Sequence, residues 1–380
     1  MTKIDIVGSF LPPETLVAAR KQYESGVIDR QHLNAIEDEA VARLVEDQIS
    51  AGLTEVTSGE FCLNQWDKDF WFGLDGIRRE RAESGHIYQP LDPFTDMMRF
   101  MDRIGYNPEH PYFADFAYLL KVADGRVRCR QTLPSPANLY LEILAMTGGH
   151  PEQIYPAPES LLEDIASAYN KTMRRFYELG CRHIQLDDTA CGLLCEDNYT
   201  KRLLQGGVDL IALHEQIIGL FNSSVAGLPS DMVVSLYLSG GDTIVPEWEF
   251  LQFSDNIMPK VLSRVNVGKF YLPFETGNDY QLEVLRHVPE GKEVVLGLAD
   301  AHCPFVENPD DILDALAKAS RYVSPERLSV SPKTGFKLTS YASRGLTYEY
   351  QWQKLSQLRE VLAFDRKTVF HTTEKYSHRF

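Results

Sequence analysis

The sequence predicts an α/β fold, a single (β/α)8 barrel with an aromatic-rich insertion between the second and third barrel strands. Three observations predict it. Eight short apolar runs follow one another along the chain. Segments with helical spacing separate them. Each run also stops at polar, ionisable or small residues, and a parallel barrel builds its active site at the carboxyl ends of its strands. One series of strand ends therefore gives both a fold and a candidate site.

The first run, Ile4–Val7, ends at Gly8-Ser9. Pro12-Pro13 open a helix at Glu14–Gln22, and a longer one covers about Gln31–Ser50. There Ile36, Val41, Leu44, Val45 and Ile49 recur near helical spacing, and Ala51-Gly52 closes the segment. The second run, Glu55-Val56, ends at Ser58-Gly59-Glu60. From Cys62 to Gly125 the chain is crowded with Trp, Phe and Tyr, and is expected to be an insertion lying as a lid over the barrel mouth. A third run, Val127–Leu133, ends at Pro134-Ser135-Pro136, and a helix follows at Glu159–Leu179. The fourth, His183–Leu186, ends at Asp187-Asp188 and leads to a helix at Gly207–Ala226. Met232–Leu238 ends at Ser239-Gly240-Gly241-Asp242, and Phe270–Phe274 ends at Glu275 before a helix at Asp279–His287. Val294–Leu298 runs on to Asp300, His302 and Cys303. The next helix, Asn308–Tyr322, has Asn308 to cap it, Pro309 at its first position, and two acids at the positive end of its dipole. Leu328–Val330 ends at Ser331-Pro332, and Tyr348–Ala363 is the last helix. The barrel is expected over 1–364, including the insertion at 62–125. The tail at 365–380 is polar and basic-leaning, either a frayed end or an arm across a partner subunit.

Bulk composition narrows the partners. The chain has 380 residues, 44% of them hydrophobic, enough for a full core. A net charge of −16 argues against nucleic acid or an anionic membrane as partner, because phosphate binding needs a basic face. No run reaches the roughly 18 apolar residues of a membrane span. The amino terminus enters a strand without an apolar signal segment, and six cysteines in so long a chain make no disulfide framework. A reducing cytoplasm, a small-molecule substrate and compatibility with a homo-oligomer are the expectations.

Several strand-end motifs together resemble the catalytic barrel of the cobalamin-independent methionine synthase family, most closely its short single-barrel relatives. They are Val7-Gly8-Ser9-Phe10, Ser58-Gly59-Glu60-Phe61, Leu133-Pro134-Ser135-Pro136, Gly180-Cys181-Arg182 leading to Ile184-Gln185-Leu186-Asp187-Asp188-Thr189, Val295-Leu296-Gly297-Leu298, and Ser331-Pro332 with Gly335-Phe336. The resemblance implies a TIM barrel that moves a methyl group from a methylated folate to the thiol of homocysteine, activated by zinc. It implies that Ser9, Glu60 and Asp187 hold the amino-acid end of the substrate. It gives His302 a proton-transfer role, aligns Ser135 and Asp188 with a Ser and an Asp of the short relatives, and makes Glu275 a carboxylate zinc ligand.

The other zinc ligands of that pattern are missing. The fifth strand reads Ser235-Leu236-Tyr237-Leu238-Ser239 where a His-x-Cys is expected, and Thr334 stands where a Cys is expected. Without zinc a thiol of pKa about 8.5 stays mostly protonated at neutral pH. The chain is therefore expected to need no metal cofactor, with a methylated folate as a conceivable co-substrate. Its chemistry would be metal-independent alkyl transfer, or elimination or addition at carbon–sulfur or carbon–heteroatom bonds. Glu275 and His302 would be the proton-handling pair, with Asp188 a further catalytic candidate and Glu275 raised in pKa by burial among acids. Trp66 and Trp71, with Phe70, could stack on a flat ring; aromatics in an insertion are more often simply buried. Two alternatives stay open: a zinc-dependent homocysteine methyltransferase with a site rebuilt from Cys191, Cys195 and Glu275, and an inactive barrel that binds an amino acid or folate.

Overall fold

A computed structural model describes residues 3–81, 96–147, 151, 154–239, 257–303, 305, 307–337 and 346–372. Eight parallel strands form the barrel: β1 (Lys3–Ile4), β2 (Glu55–Val56), β5 (Arg128–Pro134), β6 (His183–Asp188), β7 (Val233–Leu238), β8 (Lys269–Pro273), β9 (Glu293–Ala299) and β10 (Leu328–Pro332). Each overlaps one of the eight apolar runs. Their order is β1-β10-β9-β8-β7-β6-β5-β2, every pair parallel. The two outer strands meet past their ends, where Ser9 and Gly59 form a parallel bridge and the Phe10 N–H donates to the Gly59 carbonyl at 3.2 Å. That contact joins the ring.

Helices wrap the strands. They are α1 (Glu14–Glu24), α2 (Arg30–Ser50), α3 (Lys68–Trp71), α4 (Tyr112–Ala123), α5 (Pro136–Met146), α6 (Pro158–Leu179), α7 (Ala190–Leu193), α8 (Asp197–Gln205) and α9 (Leu210–Val225). After β7 come α10 (Met258–Arg264), α11 (Asp279–Leu282), α12 (Pro309–Ala319) and α13 (Tyr348–Thr372), with a 3-10 turn at Glu283–His287 after α11. Local chemistry sets the ends. Asn308 caps α12 by accepting from the Asp310 N–H at 3.2 Å, and Gly180 ends α6 in the left-handed region at φ 110°. The last helix runs across position 364 rather than ending before it.

The aromatic stretch at 62–125 holds three things: α3, an antiparallel hairpin of β3 (Asp75–Arg81) and β4 (Asp96–Gly105), and α4. The last of these corrects the expected insertion. Helix α4 packs against α2, α6 and β5, the place of an ordinary barrel helix. Its aromatics face inward because the helix must bury one side, and Phe113 and Phe116 both meet Phe176 of α6 edge-on. The hairpin leans on the start of α6, where Arg103 pairs with Asp164 at 2.7 Å and Phe100 stacks on Tyr155. Residues 82–95 of this stretch lie outside the described residues.

The barrel interior is layered. At the amino-terminal end, Arg130 is fully enclosed and donates to Asp5 Oδ1 at 3.0 Å, to the Tyr271 hydroxyl and to the Ile6 carbonyl. Lys269 reaches Asp5 Oδ2 at 3.1 Å, and His183 bridges Glu55 at 2.6 Å and Ser235 at 2.8 Å. Burial works to raise the pKa of Asp5, but the Arg130 and Lys269 charges outweigh it and hold that carboxyl well below its usual range. Above this charged layer, Val7, Tyr237, Tyr271 and Val295 make a small apolar cluster separate from the main core. The next level up is the candidate site.

Candidate active site

Ser9, Glu60 and Asp187 come to one side of the barrel mouth from β1, β2 and β6. Ser9 is placed by close packing. A Cβ on Gly335 would sit 1.9 Å from Ser9 Oγ, so only glycine lets the loop after β10 pass there, and the Phe336 N–H donates to the Ser9 carbonyl at 3.1 Å. Glu60 is buried at φ 60°, a costly backbone for a residue with a side chain. Lys337 holds it: Nζ donates to the carbonyls of Glu60 at 2.8 Å and Leu63 at 3.1 Å, and lies 4.0 Å from Glu60 Oε2. The nearby Thr132 hydroxyl also favours the ionised form of this carboxylate.

Burial raises the pKa of Glu60 despite the Lys337 charge. Burial raises Asp187 much further, and repulsion from Glu60 adds to it, against a hydrogen bond from Gln185 Nε2 at 2.7 Å. Lys337 is itself pushed down to about 8 by its enclosure, with Glu60 opposing. Two buried carboxylates near enough for the charge of one to act on the other favour a bound cation, which restores the ionised form of both.

Asp188, the next residue along β6, points elsewhere. Its Oδ2 accepts from Ser135 Oγ at 2.5 Å and its Oδ1 from the Cys191 N–H at 2.8 Å. Ser135 caps α5 through the Asn138 N–H at 3.1 Å. Asn138 in turn donates to the Asp187 carbonyl and accepts from the N–H groups of Thr189 and Ala190. This network fixes the end of β6 and thereby aims Asp187. Burial raises the pKa of Asp188, offset in part by the Ser135 and Cys191 donors.

At the end of β8 the structure corrects an expectation. Glu275 is not enclosed among acids; its side chain is 41% exposed and its partner is Lys333, with Nζ 2.5 Å from Oε1. The two residues reach each other across β9. A Cβ on Gly297 would lie 2.8 Å from Lys333 Cα and 3.2 Å from Pro273 Cα, so glycine there lets the flanking strand ends close in. Both partners are anchored: the Lys333 N–H donates to the Ala299 carbonyl at 2.7 Å, and the Glu275 N–H to Oε1 of buried Gln281 at 2.7 Å.

The remaining candidates spread out. His302 and Cys303 are half-buried at the end of β9, the strand beside that of Glu275; Asp300 is exposed and accepts from the His302 N–H at 2.8 Å. Trp71 is core rather than a stacking surface, since it is 2% exposed and its Nε1 donates to the Tyr169 hydroxyl at 3.1 Å. Trp66 stays half-buried in the turn before α3. Residues 240–242, at the end of β7, lie outside the described residues. Lys333, Lys337, Thr132 and Gln185 were not singled out from sequence. Lys333 and Lys337 flank the Gly335-Phe336 motif, the signal that the sequence offers for them.

A zinc ion needs three or four His, Cys or carboxylate donors converging. Among the described residues no three such groups converge. The rebuilt set fails because Cys191 and Cys195 are packed in the apolar core, where burial pushes both thiols well up, away from the thiolate. His183 is occupied at the opposite end of the barrel. Glu275 already faces an ammonium, and Thr334 offers no thiol. Among the described residues, none of these sets fits the ion.

Three comparisons place the chain among known proteins. A family model described as "Cobalamin-independent synthase, Catalytic domain" matches residues 252–345. The chain is 30% identical to the uncharacterized protein YxjG of Bacillus subtilis, over 94% of this chain and 93% of that one. It is 23% identical to the methionine synthase of Pyrococcus abyssi, over 96% and 93% of the two chains. The solved structure of a putative vitamin-B12-independent methionine synthase from Listeria monocytogenes superposes with a TM-score of 0.74 at 25% identity, covering 96% of this chain and 98% of that one.

Proposed function

The chain belongs to the cobalamin-independent methionine synthase family, and from that premise we propose that it is an enzyme acting on an amino-acid-like thiol or thioether without the family's usual zinc site. The reaction class is metal-independent alkyl transfer, or elimination or addition at a carbon–sulfur or carbon–heteroatom bond, with a methylated folate as the candidate alkyl donor. One observation carries the reading. Glu60 and Asp187 are both enclosed at the barrel mouth; burial disfavours the ionised form of each, and the Glu60 charge adds to this at Asp187. A substrate ammonium bound between them relieves both the desolvation and the repulsion. Ser9 Oγ, held by the Gly335 loop, adds a polar contact at the same end.

The roles follow from position. Ser9, Glu60 and Asp187 bind the amino-acid end. Ser135 and Asp188 set the direction of the β6 terminus and act through it. Glu275 and His302, at neighbouring strand ends, handle protons at the reacting end, and Trp66, half-buried in the turn before α3, is a candidate surface for a flat donor. The test is calorimetric titration of wild type and Asp187→Asn with homocysteine and with the analogue in which a hydroxyl replaces the α-amino group. Wild type is expected to bind only the amino compound, and Asp187→Asn to lose it by about tenfold or more, the usual worth of a charge-assisted hydrogen bond. Equal binding of both compounds would sink the reading.

A further inference from the structure

From the way the turn after β2 is held we propose that Arg20 of α1 is a positioning residue for Glu60: together with Lys337, its guanidinium locks the strained turn that aims the Glu60 carboxylate. The inference rests on the reading of Glu60 as a seat for the substrate ammonium, and adds a residue that this seat needs.

The turn is costly by itself. The Phe61 N–H donates to the Ser58 carbonyl at 3.3 Å, and the two residues between them, Gly59 and Glu60, have φ of 66° and 60°. Positive φ at both central positions is the mark of a type I′ turn, which prefers Gly or Asn there. Gly59 meets that demand without steric cost, and a Cβ on it would lie 2.4 Å from Leu44 Cδ2. Glu60 does not meet it. Left to itself, a glutamate relaxes to negative φ and carries its carboxylate elsewhere.

Two enclosed cations oppose that relaxation. Lys337, from the loop after β10, donates to the carbonyls of Glu60 at 2.8 Å and Leu63 at 3.1 Å. Arg20 Nη2 approaches from α1 and donates to the Phe61 carbonyl between them. Within four consecutive residues, three carbonyls are thus held by charged donors, which make the stronger hydrogen bonds. The rest of Arg20 contributes little to stability. The residue is 2% exposed, yet Nε and Nη1 find no hydrogen-bond partner among the described residues. Glu37 and Asp69 lie within electrostatic reach, but Arg30 engages the first at 3.0 Å and Arg79 the second at 2.5 Å. An enclosed cation so sparsely bonded costs more than an apolar side chain of similar size. The bond that it does make is to the turn that carries Glu60.

The experiment is a double-mutant cycle on the full-length protein, read by calorimetric titration with homocysteine. Wild type, Arg20→Met, Glu60→Gln and the double variant are compared, with thermal melts to report folding. Glu60→Gln is expected to weaken binding by about tenfold or more, the usual worth of a charge-assisted hydrogen bond. Arg20→Met should lose most of the same factor. In the Glu60→Gln background it should lose nothing further, because no carboxylate is left to aim. A residue that only supports the fold would weaken both backgrounds alike. Equal losses in the two backgrounds therefore overturn the inference, as does wild-type affinity in Arg20→Met. If Arg20→Met does not fold, Arg20→Gln takes its place in the cycle; if neither folds, Arg20 is a residue of the fold and the inference is overturned. If wild type does not bind homocysteine, or Glu60→Gln binds it as well as wild type, the ammonium reading falls and takes the inference with it. If Glu60→Gln weakens binding and the Arg20 variant does not, only the inference falls.

Discussion

The raised pKa of Asp187 carries a sign for stability. Its folded-state value lies above the unfolded one, because burial and then Glu60 disfavour the charged form. The folded protein therefore holds this proton more tightly than the unfolded chain. The stability it contributes is fully present below the unfolded value of about 3.9, and is lost as pH rises toward the folded value. Asp187→Asn keeps an oxygen to accept from Gln185 and removes the charge. It is expected to melt above wild type at neutral pH, with the difference gone near pH 4; a thermal-melt series across that window checks it. The acids of this site were legible because they end apolar runs, and position alone marks them. The cations were not. A lysine after a strand looks solvated in sequence, and only the pairing of strand ends distant along the chain shows what Lys333 and Lys337 touch.

At the scale of elements, the short reach between β8 and β10 depends on one missing methyl group. Gly297→Ala would set a Cβ at 2.8 Å from the Lys333 backbone, and backbone cannot rotate away as a side-chain tip does. The variant is expected to lose about 1–3 kcal/mol of stability, the usual cost of overpacking, and to separate Lys333 from Glu275. Urea unfolding measures the first effect. Strands were the most readable elements, since apolar runs bounded by turn residues carry their own limits. Helix α5 was missed although Ser135-Pro136 is a good helix start, because the run that follows is apolar on nearly all sides and shows no periodicity. Helix α4 was assigned to the insertion for a related reason: its aromatics look like a cluster in composition, and only packing against α2, α6 and β5 identifies it as part of the ring.

On the scale of the whole molecule, the barrel rests on a buried ionic layer that the apolar runs concealed. Asp5, Arg130, His183 and Lys269 sit within or beside segments read as hydrophobic, and nothing local tells an inward charge from an outward one. Arg130→Met would leave Asp5 with Lys269 as its remaining ionic partner, beside the Tyr271 hydroxyl, and remove the donors to Tyr271 and Ile6. The expected loss is about 3–5 kcal/mol, measurable by chemical denaturation, because breaking an enclosed pair strands its partner. Beside this layer β1 pairs with β10 in parallel, Lys3 opposite Ser329, and Asp5, just past β1, is held by residues of β5 and β8. A ribosome makes β1 before the other barrel strands and β10 after all of them. Until β10 emerges, the growing polypeptide is an unfinished sheet with two bare edges and an arginine awaiting full enclosure. Its maturation therefore comes late and all at once, and an interrupted translation product would be prone to stick to its neighbours.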